Sequence, residues 1–307
     1  MRSILPALLL ALQTPAPAAS QVEIRILSSM VASEGFGEWG FAALVTVDGK
    51  RILFDTGAHP DTVSRNLASL KLDLTGVKTV ILSHNHLDHT AGLITLRKQY
   101  PEAISTAHVG QGIFLSRTRN GSETNPMPET RKRYETAGGK FLEYAKPTEI
   151  APGVWLTGPV PRPHPEKNYG RGLLLKLPTG ETTEDYLPED MSLAIDTPRG
   201  WVVLAGCGHS GIVNTLQYIR EKIKNQPIHA AIGGFHLFQL SDEQLDWTAS
   251  KLKSFGLRNF LGAHCTGIEA VFRIRAGAGL TRATCAVGSV GGGFALEKGI
   301  DPGTIAR

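Results

Sequence analysis

The segment His84–His89 places three imidazoles and one carboxylate within six positions. His84 and His86 lie two residues apart, so on an extended backbone their side chains point the same way. Asp88 and His89 come next and can face a neighbouring point. Imidazole and carboxylate ligands suit zinc, iron and manganese, so the ligand types do not choose the metal. The cluster predicts a metal site with enough ligands for two adjacent ions.

The residues around this segment predict how it is positioned. The apolar run Val80-Ile81-Leu82 precedes it and is typical of a buried strand, and Thr90-Ala91-Gly92-Leu93 opens a stretch with helical character. A strand therefore delivers its carboxyl end into a short loop, and a helix leaves that loop.

Three later segments have the same design: each places a histidine just past an apolar run, next to glycines that let backbones approach closely. They are 206–211, with Cys207 and His209; 233–236, with His236; and 262–267, with His264. Catalytic groups in layered α/β folds gather at strand ends. We expect His209 and His264 to be metal ligands. His236 could be a further ligand, but it is expected to act beside the ligands or to transfer protons, and any of the three could instead be a hydrogen-bonded structural histidine.

The hydrophobic pattern predicts an α/β fold in which helices cover two β-rich halves. Strands are predicted over 22–27, 40–47, 51–54, 78–83, 103–107, 192–196, 201–205, 229–232 and 259–262. Helices are predicted over 61–70, 91–100, 212–224, 242–255 and 267–276. The stretches 110–139, 159–168 and 178–190 look like loops. Such long loops are expected to wall a substrate cleft or to be disordered.

The first 20 residues have the features of a secretory signal peptide. Arg2 supplies a positive charge, residues 4–12 an apolar core, and Ala16-Pro17-Ala18 a small-residue cleavage pattern. The apolar core is too short for a stable bilayer span, although an uncleaved anchor is the rival interpretation. We expect cleavage after Ala18 or Ser20, a periplasmic or secreted protein, and a single domain over residues 21–307.

Composition narrows the choice of partners. The chain has 32 Lys and Arg against 28 Asp and Glu, a net charge of +4, and no dense basic stripe of the kind that binds nucleic acid. No later stretch is apolar and long enough to span a membrane. The three cysteines contain no CxxC pair, so at most one disulfide could form. The expected partner is a small-molecule substrate, and the sequence leaves the oligomeric state open.

The H-x-H-x-D-H pattern resembles the signature of the metallo-β-lactamase superfamily. Together with segments 51–57, 83–93, 206–214, 232–237 and 262–267, it resembles one branch, the dihydropterin-methyl-ribofuranosylaminobenzene-phosphate-synthase-like metallo-hydrolases. The resemblance implies a four-layer αβ/βα sandwich with two mixed β-sheets flanked by helices. It also implies His84, His86 and a later histidine on one metal ion, and Asp88, His89 and His264 on the other.

The chain departs from the wider superfamily at Cys207, where many relatives have an aspartate that bridges the metals. Cys207 could ligate as a thiolate, which favours zinc, or it could be a buried structural thiol. His209 is the preferred ligand of the two. Asp55, in an Asp-Thr-Gly turn, is either a turn residue or, as the resemblance suggests, a carboxylate that orients a ligand histidine.

The leading hypothesis is an exported metal-dependent hydrolase. Two divalent ions, expected to be Zn²⁺ with Fe or Mn as alternatives, would lower the pKa of a shared water, and the resulting hydroxide would attack an ester, lactone, amide or phosphoester. Asp88 could orient that water, and His236 could carry protons. The chain has neither the G-x-S-x-G serine elbow nor a P-loop. The alternatives are a di-iron redox protein on the same scaffold, which would normally need a flavin-binding partner, and a non-catalytic metal- or ligand-binding protein.

Overall fold

The computed structural model describes residues 18–168 and 172–304, so most of the predicted signal segment lies outside the described residues. In chain order the strands are β1 (Val22–Ser28), β2 (Val31–Ala32), β3 (Ala42–Val47), β4 (Lys50–Phe54), β5 (Thr79–Leu82), β6 (Thr106–Gly110), β7 (Arg117–Arg119), β8 (Ser122–Glu123), β9 (Lys140–Tyr144), β10 (Thr148–Ala151), β11 (Val154–Leu156), β12 (Leu174–Lys176), β13 (Thr182–Glu184), β14 (Leu193–Thr197), β15 (Gly200–Ala205), β16 (Ile228–Gly233), β17 (Asn259–Gly262), β18 (Cys285–Val287), β19 (Ser289–Val290), β20 (Gly293–Ala295) and β21 (Gly299–Asp301). The helices are α1 (Thr62–Ser69), α2 (Leu87–Thr90), α3 (Leu93–Gln99), α4 (Met127–Thr136), α5 (Ile212–Lys222), α6 (Asp242–Ser254) and α7 (Ile268–Ala278), with a 3₁₀ turn at His264–Thr266.

Two large mixed sheets form the framework. The first has the order β21-β20-β1-β3-β4-β5-β6-β9, and the second has the order β10-β11-β14-β15-β16-β17-β18. Strands β4, β5, β6 and β9 run parallel, as do β15 to β18. The predicted strands 40–47 and 51–54 correspond to β3 and β4, which form a hairpin around Asp48-Gly49 with Val47 paired to Lys50.

The alternation of side chains along β15 shows how the layers form. Val202 and Leu204 pack between the two sheets, whereas Trp201, Val203 and Ala205 face helices α5 to α7. Successive side chains of a strand point to opposite faces, so a strand covered on both sides reads as a continuous apolar run. A third apolar cluster joins α1, α3 and α4 to the outer face of the first sheet. The predicted four-layer αβ/βα sandwich is confirmed.

The prediction that 110–139 is a loop is wrong over part of its length. Helix α4 occupies Met127–Thr136, and β7 and β8 precede it. Within α4 only Met127 and Tyr134 are buried. This pair is too narrow to produce the apolar stripe by which an amphipathic helix is recognised. Strand β13 likewise crosses part of the third predicted loop, 178–190.

The carboxyl ends of the central strands of both sheets meet at one place. A Cβ atom at Gly206, just past β15, would lie 2.1 Å from Ser83 Oγ and 2.5 Å from Asp55 Oδ2. Only a glycine lets the second sheet approach the end of the first this closely. The segments that follow β4, β5, β15, β16 and β17 are thereby brought into contact. Within the described residues, no helix has the length and hydropathy needed to cross a bilayer.

Candidate metal centre

The first ligand segment begins directly after β5. His86 is extended, with φ −66° and ψ 145°, and precedes α2, which carries Asp88 and His89. The helical structure therefore starts at Leu87, earlier than the predicted 91. The ring of His84 lies 4.6 Å from that of His86 and 4.2 Å from that of His89, measured between ring centroids. The segment thus presents its four predicted ligands around one small volume.

The second half of the chain adds its histidines to the same volume. The His209 ring lies 4.6 Å from His84 and 5.0 Å from His86. The His264 ring lies 5.1 Å from His89, and its Nε2 is 3.3 Å from Asp88 Oδ2. The structure therefore brings together all six residues for which the sequence predicted a ligand role.

Their donor atoms form overlapping groups, each with all its atoms within 4.8 Å of one another. One group is Asp88, His89, Cys207 and His264; a second is His84, Cys207 and His209; a third is His84, His86 and Asp88. Cys207 belongs to the first two of these groups, and its Sγ lies 3.1 Å from His89 Nε2. It therefore stands between the two predicted metal positions, so the geometry allows both His209 and Cys207 as ligands.

Several buried nitrogens at the centre have no hydrogen-bond partner among the described residues. They are His84 Nε2, His209 Nε2 and His264 Nδ1, whereas His264 Nε2 has its 3.3 Å contact with Asp88 Oδ2. Buried polar atoms are normally hydrogen-bonded, and leaving one unpaired costs free energy. Unpaired imidazole nitrogens that converge beside a carboxylate and a thiol offer electron pairs that no group of the described protein takes up. This set of donors fits bound metal cations.

A second set of contacts orients the imidazoles. Asp55 Oδ2 lies 2.7 Å from His89 Nδ1 and accepts a 2.8 Å hydrogen bond from Ser83 Oγ, which in turn lies 2.9 Å from His84 Nδ1. The backbone carbonyl of Asn168 accepts from His209 Nδ1. With Nδ1 engaged, Nε2 of each ring is free to face the centre, the usual arrangement around metal-bound histidine. Asp55 sits at φ 54°, a left-handed conformation that aspartate tolerates better than most residues.

Burial sets the protonation of His84, His86 and His209. It holds the pKa of His84 well below its ordinary value, and the neighbouring His89 lowers it further. Burial, together with adjacent histidines, lowers the pKa of both His86 and His209 to about 3. These three rings are therefore neutral near pH 7 and can bind a cation without first losing a proton.

The His264 imidazole is more basic than these three rings. Burial works to lower the pKa of His264, but the Cys265 sulfur and the Asp88 carboxylate outweigh it and raise that pKa to about 9. Burial opposes ionisation of Asp88, yet His89 and His264 hold its pKa below the ordinary value. Cation binding at this group therefore competes with the His264 proton and weakens as pH falls.

Two exposed aromatic residues beside the centre were not predicted from the sequence. Trp39 and Phe238 are 48% and 41% exposed and lie 5.4 Å apart in edge-to-face contact. The Trp39 ring is 4.9 Å from His264, and the Phe238 ring is 5.2 Å from His236. We name this pair the aromatic rim. Phe238 could have been found from its place two residues after His236, whereas Trp39 has no such signal.

An adjoining cavity of about 310 Å³ involves two of the predicted loop stretches. Its lining includes His86, Asp88, Arg117, Arg119 and Asp185. Arg117 and Asp185 are buried and paired at 2.9 Å. The stretches 110–139 and 178–190 therefore form walls next to the ligand segment.

The remaining predicted residue, His236, lies at the edge of the centre. Its ring is 4.7 Å from that of His209, and its buried Nδ1 has no hydrogen-bond partner among the described residues. The arrangement is compatible with either of its predicted roles, in proton transfer or in ligation.

Residues 40–210 match the family model of the metallo-beta-lactamase superfamily. The 7,8-dihydropterin-6-methyl-4-(beta-D-ribofuranosyl)-aminobenzene-5'-phosphate synthase of Methanocaldococcus jannaschii is 30% identical over 247 residues, which is 76% of this chain and 83% of that protein. A solved metal-dependent hydrolase of the beta-lactamase superfamily has a TM-score of 0.71 and 26% identity, covering 87% of this chain and 95% of its own. A metallo-beta-lactamase fold protein from Bacillus subtilis shares the fold, with a TM-score of 0.52 and 13% identity over 90% of this chain and 98% of its own. The chain therefore belongs to the metallo-beta-lactamase superfamily.

Proposed function

We propose that the protein is a metal-dependent hydrolase with two metal ions. The observation that carries this proposal is the convergence of unpaired, buried imidazole nitrogens on Asp88 and Cys207. The solved relative with a TM-score of 0.71 is described as a metal-dependent hydrolase, which supports the reaction class. The Methanocaldococcus jannaschii relative is a synthase, and its substrate is a property of that protein.

The residues divide into two ligand sets under this proposal. His84, His86 and His209 would hold one ion, and Asp88, His89 and His264 the other, with Cys207 between them. The bound ions would supply a Lewis acid and lower the pKa of a water molecule toward neutrality.

The chain's own groups supply the proton handling. Because its pKa is held low, Asp88 remains a carboxylate near pH 7 and can accept a hydrogen bond from the attacking water. Nδ1 of His236 has no protein partner among the described residues and is free to hold a proton beside the leaving group. The substrate class proposed is an ester, lactone, amide or phosphoester.

We expect the purified protein to bind two metal ions per chain and to hydrolyse at least one substrate in a chromogenic ester, lactone and phosphoester panel. Strong chelation should abolish hydrolysis, and adding metal back should restore it. Elemental analysis together with initial rates checks both points. No more than one equivalent after reloading would contradict the two-ion centre. Full loading without any hydrolysis would favour a binding protein, and bound iron with redox activity would favour the di-iron alternative.

The aromatic rim predicts a preference for substrates that carry an aromatic or large apolar group, since such groups pack favourably on Trp and Phe rings. Trp39→Ala should raise KM for an aryl-substituted substrate by about 3- to 10-fold with little change in kcat, as expected for the loss of one aromatic contact. Phe272→Ala is the matched control, because Phe272 is similarly exposed, at 47%, but lies on α7 and packs against Arg275. An equal rise in KM for a methyl-substituted substrate would argue against the rim as a specificity element.

For localisation we propose export, with cleavage after Ala18. The described chain from Ala19 onward takes part in the fold: Ala19 is buried and its backbone N–H donates to Asp196 O at 2.7 Å, and Ser20 Oγ donates to Asp48 Oδ1 at 2.8 Å. Cleavage after Ser20 would remove these contacts. N-terminal sequencing of protein from a secreting host should therefore begin at Ala19. A cytosolic chain that still begins at Met1 would refute export.

A further inference from the structure

A fourth group of donor atoms, which contains no residue of the H-x-H-x-D-H segment, adjoins the metal centre. Cys207, Cys265 and His236 each offer one atom, and these atoms lie within 4.8 Å of one another. The two sulfur atoms are 3.3 Å apart, and both cysteines are buried and free. The sequence analysis did not single out Cys265.

The topology explains why these three residues meet. Strands β15, β16 and β17 are neighbouring parallel strands, and the three residues lie two or three positions past their carboxyl ends. Gly234 makes the approach possible, because a Cβ atom there would lie 2.0 Å from Gly206 O and 3.0 Å from Cys265 Sγ. His236 sits at φ 48°, a strained conformation for histidine, and its backbone N–H points at Cys265 Sγ from 3.3 Å.

The surroundings of Cys265 differ from those of a structural thiol. Cys285 supplies the comparison within the same sheet, since it packs in the apolar cluster under the helices and its Sγ lies 3.5 Å from Val271 O. Neither Cys207 nor Cys265 is part of the three apolar clusters. Their sulfurs face each other, the backbone and the histidines. A buried cysteine kept for packing would have the environment of Cys285.

We propose that Cys265 is a thiolate ligand of the metal centre and shares an ion with Cys207 and with His236, whose ligation would replace the proton-transfer role given to it above. This inference rests on the metal binding proposed above. Each thiol that ligates loses its proton to solvent, and the two sulfurs and the imidazole would add to the ligands of one of the two ions proposed above. Thiolate donors select thiophilic ions such as Zn²⁺ and Cd²⁺ over Mn²⁺, which prefers oxygen ligands. The centre therefore prefers soft divalent cations, and two thiolates make this preference stronger than one thiolate would.

The test uses metal-free, reduced full-length protein titrated with Co²⁺ and Cd²⁺, with sulfur-to-metal charge-transfer absorption as the readout. Wild type should show the band. Cys207→Ser and Cys265→Ser should each lose about half of it, and the double variant all of it, if each thiolate contributes alike. Cys285→Ser is the matched control and should keep the full band. A full band in Cys265→Ser would overturn the proposal.

X-ray absorption at the zinc edge of the wild-type protein gives a check that needs no variant. We expect a sulfur shell at about 2.3 Å with an average of about one sulfur per zinc when two ions are bound to two thiolates. A shell of nitrogen and oxygen only, or recovery of a Cys207–Cys265 disulfide from the metal-loaded protein, would overturn the proposal. Thiolate bands without hydrolysis would contradict only the hydrolase function, whereas hydrolysis with a sulfur-free shell would contradict only thiolate ligation.

Discussion

His264→Ala should remove one of the two bound metal ions and lower kcat/KM by at least about 100-fold. The reason is that loss of an outer contact to a ligand already costs about 10- to 100-fold, and removing the ligand itself costs no less. In the donor group of His264 the other imidazole is His89, which is already counted as a ligand. His86→Ala should have the same effect on the other group. Elemental analysis and steady-state kinetics measure the two losses together.

The control for this prediction is a histidine of the same sheet that lies away from the centre. His229 is half-buried near the start of β16, at the opposite end of the strand from His236, and its ring contacts Phe294. His229→Ala should keep both metal equivalents and full activity. If His264→Ala retained two equivalents with unchanged kcat/KM, the assignment of the second ligand group would be wrong.

The convergence of the candidate ligands could be predicted from sequence because their signals are local. A spacing of two on an extended backbone places His84 and His86 together, and that requires no knowledge of the rest of the fold. His209 and His264 were found by a different rule, the position of a polar side chain just past a buried strand. Both residues reach the segment His84–His89 because β15 and β17 are interior strands of the second sheet, where the carboxyl ends of parallel neighbours meet.

What could not be predicted depends on contacts between distant segments. The carbonyl that orients His209 belongs to Asn168, and any residue type could supply that group. Trp39 precedes β3 and reaches His264 only because the two sheets stack. Cys265 follows a predicted ligand directly, but its pairing with Cys207 depends on the close approach at Gly234. Contacts of this kind are set by the packing of the sheets and carry no periodic signal.

Asp55 is a positioning residue by its contacts, and Asp55→Asn should lower kcat/KM by about 10- to 100-fold while weakening metal retention. The carboxylate accepts from Ser83 N at 2.7 Å and Ser83 Oγ at 2.8 Å, and it lies 2.7 Å from His89 Nδ1. An asparagine offers only one acceptor oxygen, so at one of these contacts two hydrogen-bond donors would face each other. Asp196→Asn is the matched control, since Asp196 is also buried but pairs with Lys224 away from the centre.

Stability measurements separate positioning from a merely structural role. Burial raises the pKa of Asp55 above its ordinary value of 3.8 despite the opposing pull of His89. A raised pKa means that the metal-free fold binds the proton more tightly than the unfolded chain does. The contribution of protonated Asp55 to the stability of the metal-free protein is therefore complete below pH 3.8, and it is lost as the pH rises through the pKa of Asp55 in the folded state.

Asp55→Asn removes that cost of ionisation, which opposes the cost of its donor-to-donor contact, so near pH 7 the metal-free variant should lose little stability relative to metal-free wild type. With metal bound the loss should be larger, because the ion stabilises the folded state more the more tightly it binds, and the affinity depends on the orientation of His89. Denaturant unfolding with and without zinc measures both differences. If Asp55→Asn were equally destabilised in both states, Asp55 would be a structural turn residue and the weaker catalysis a consequence of lost folding.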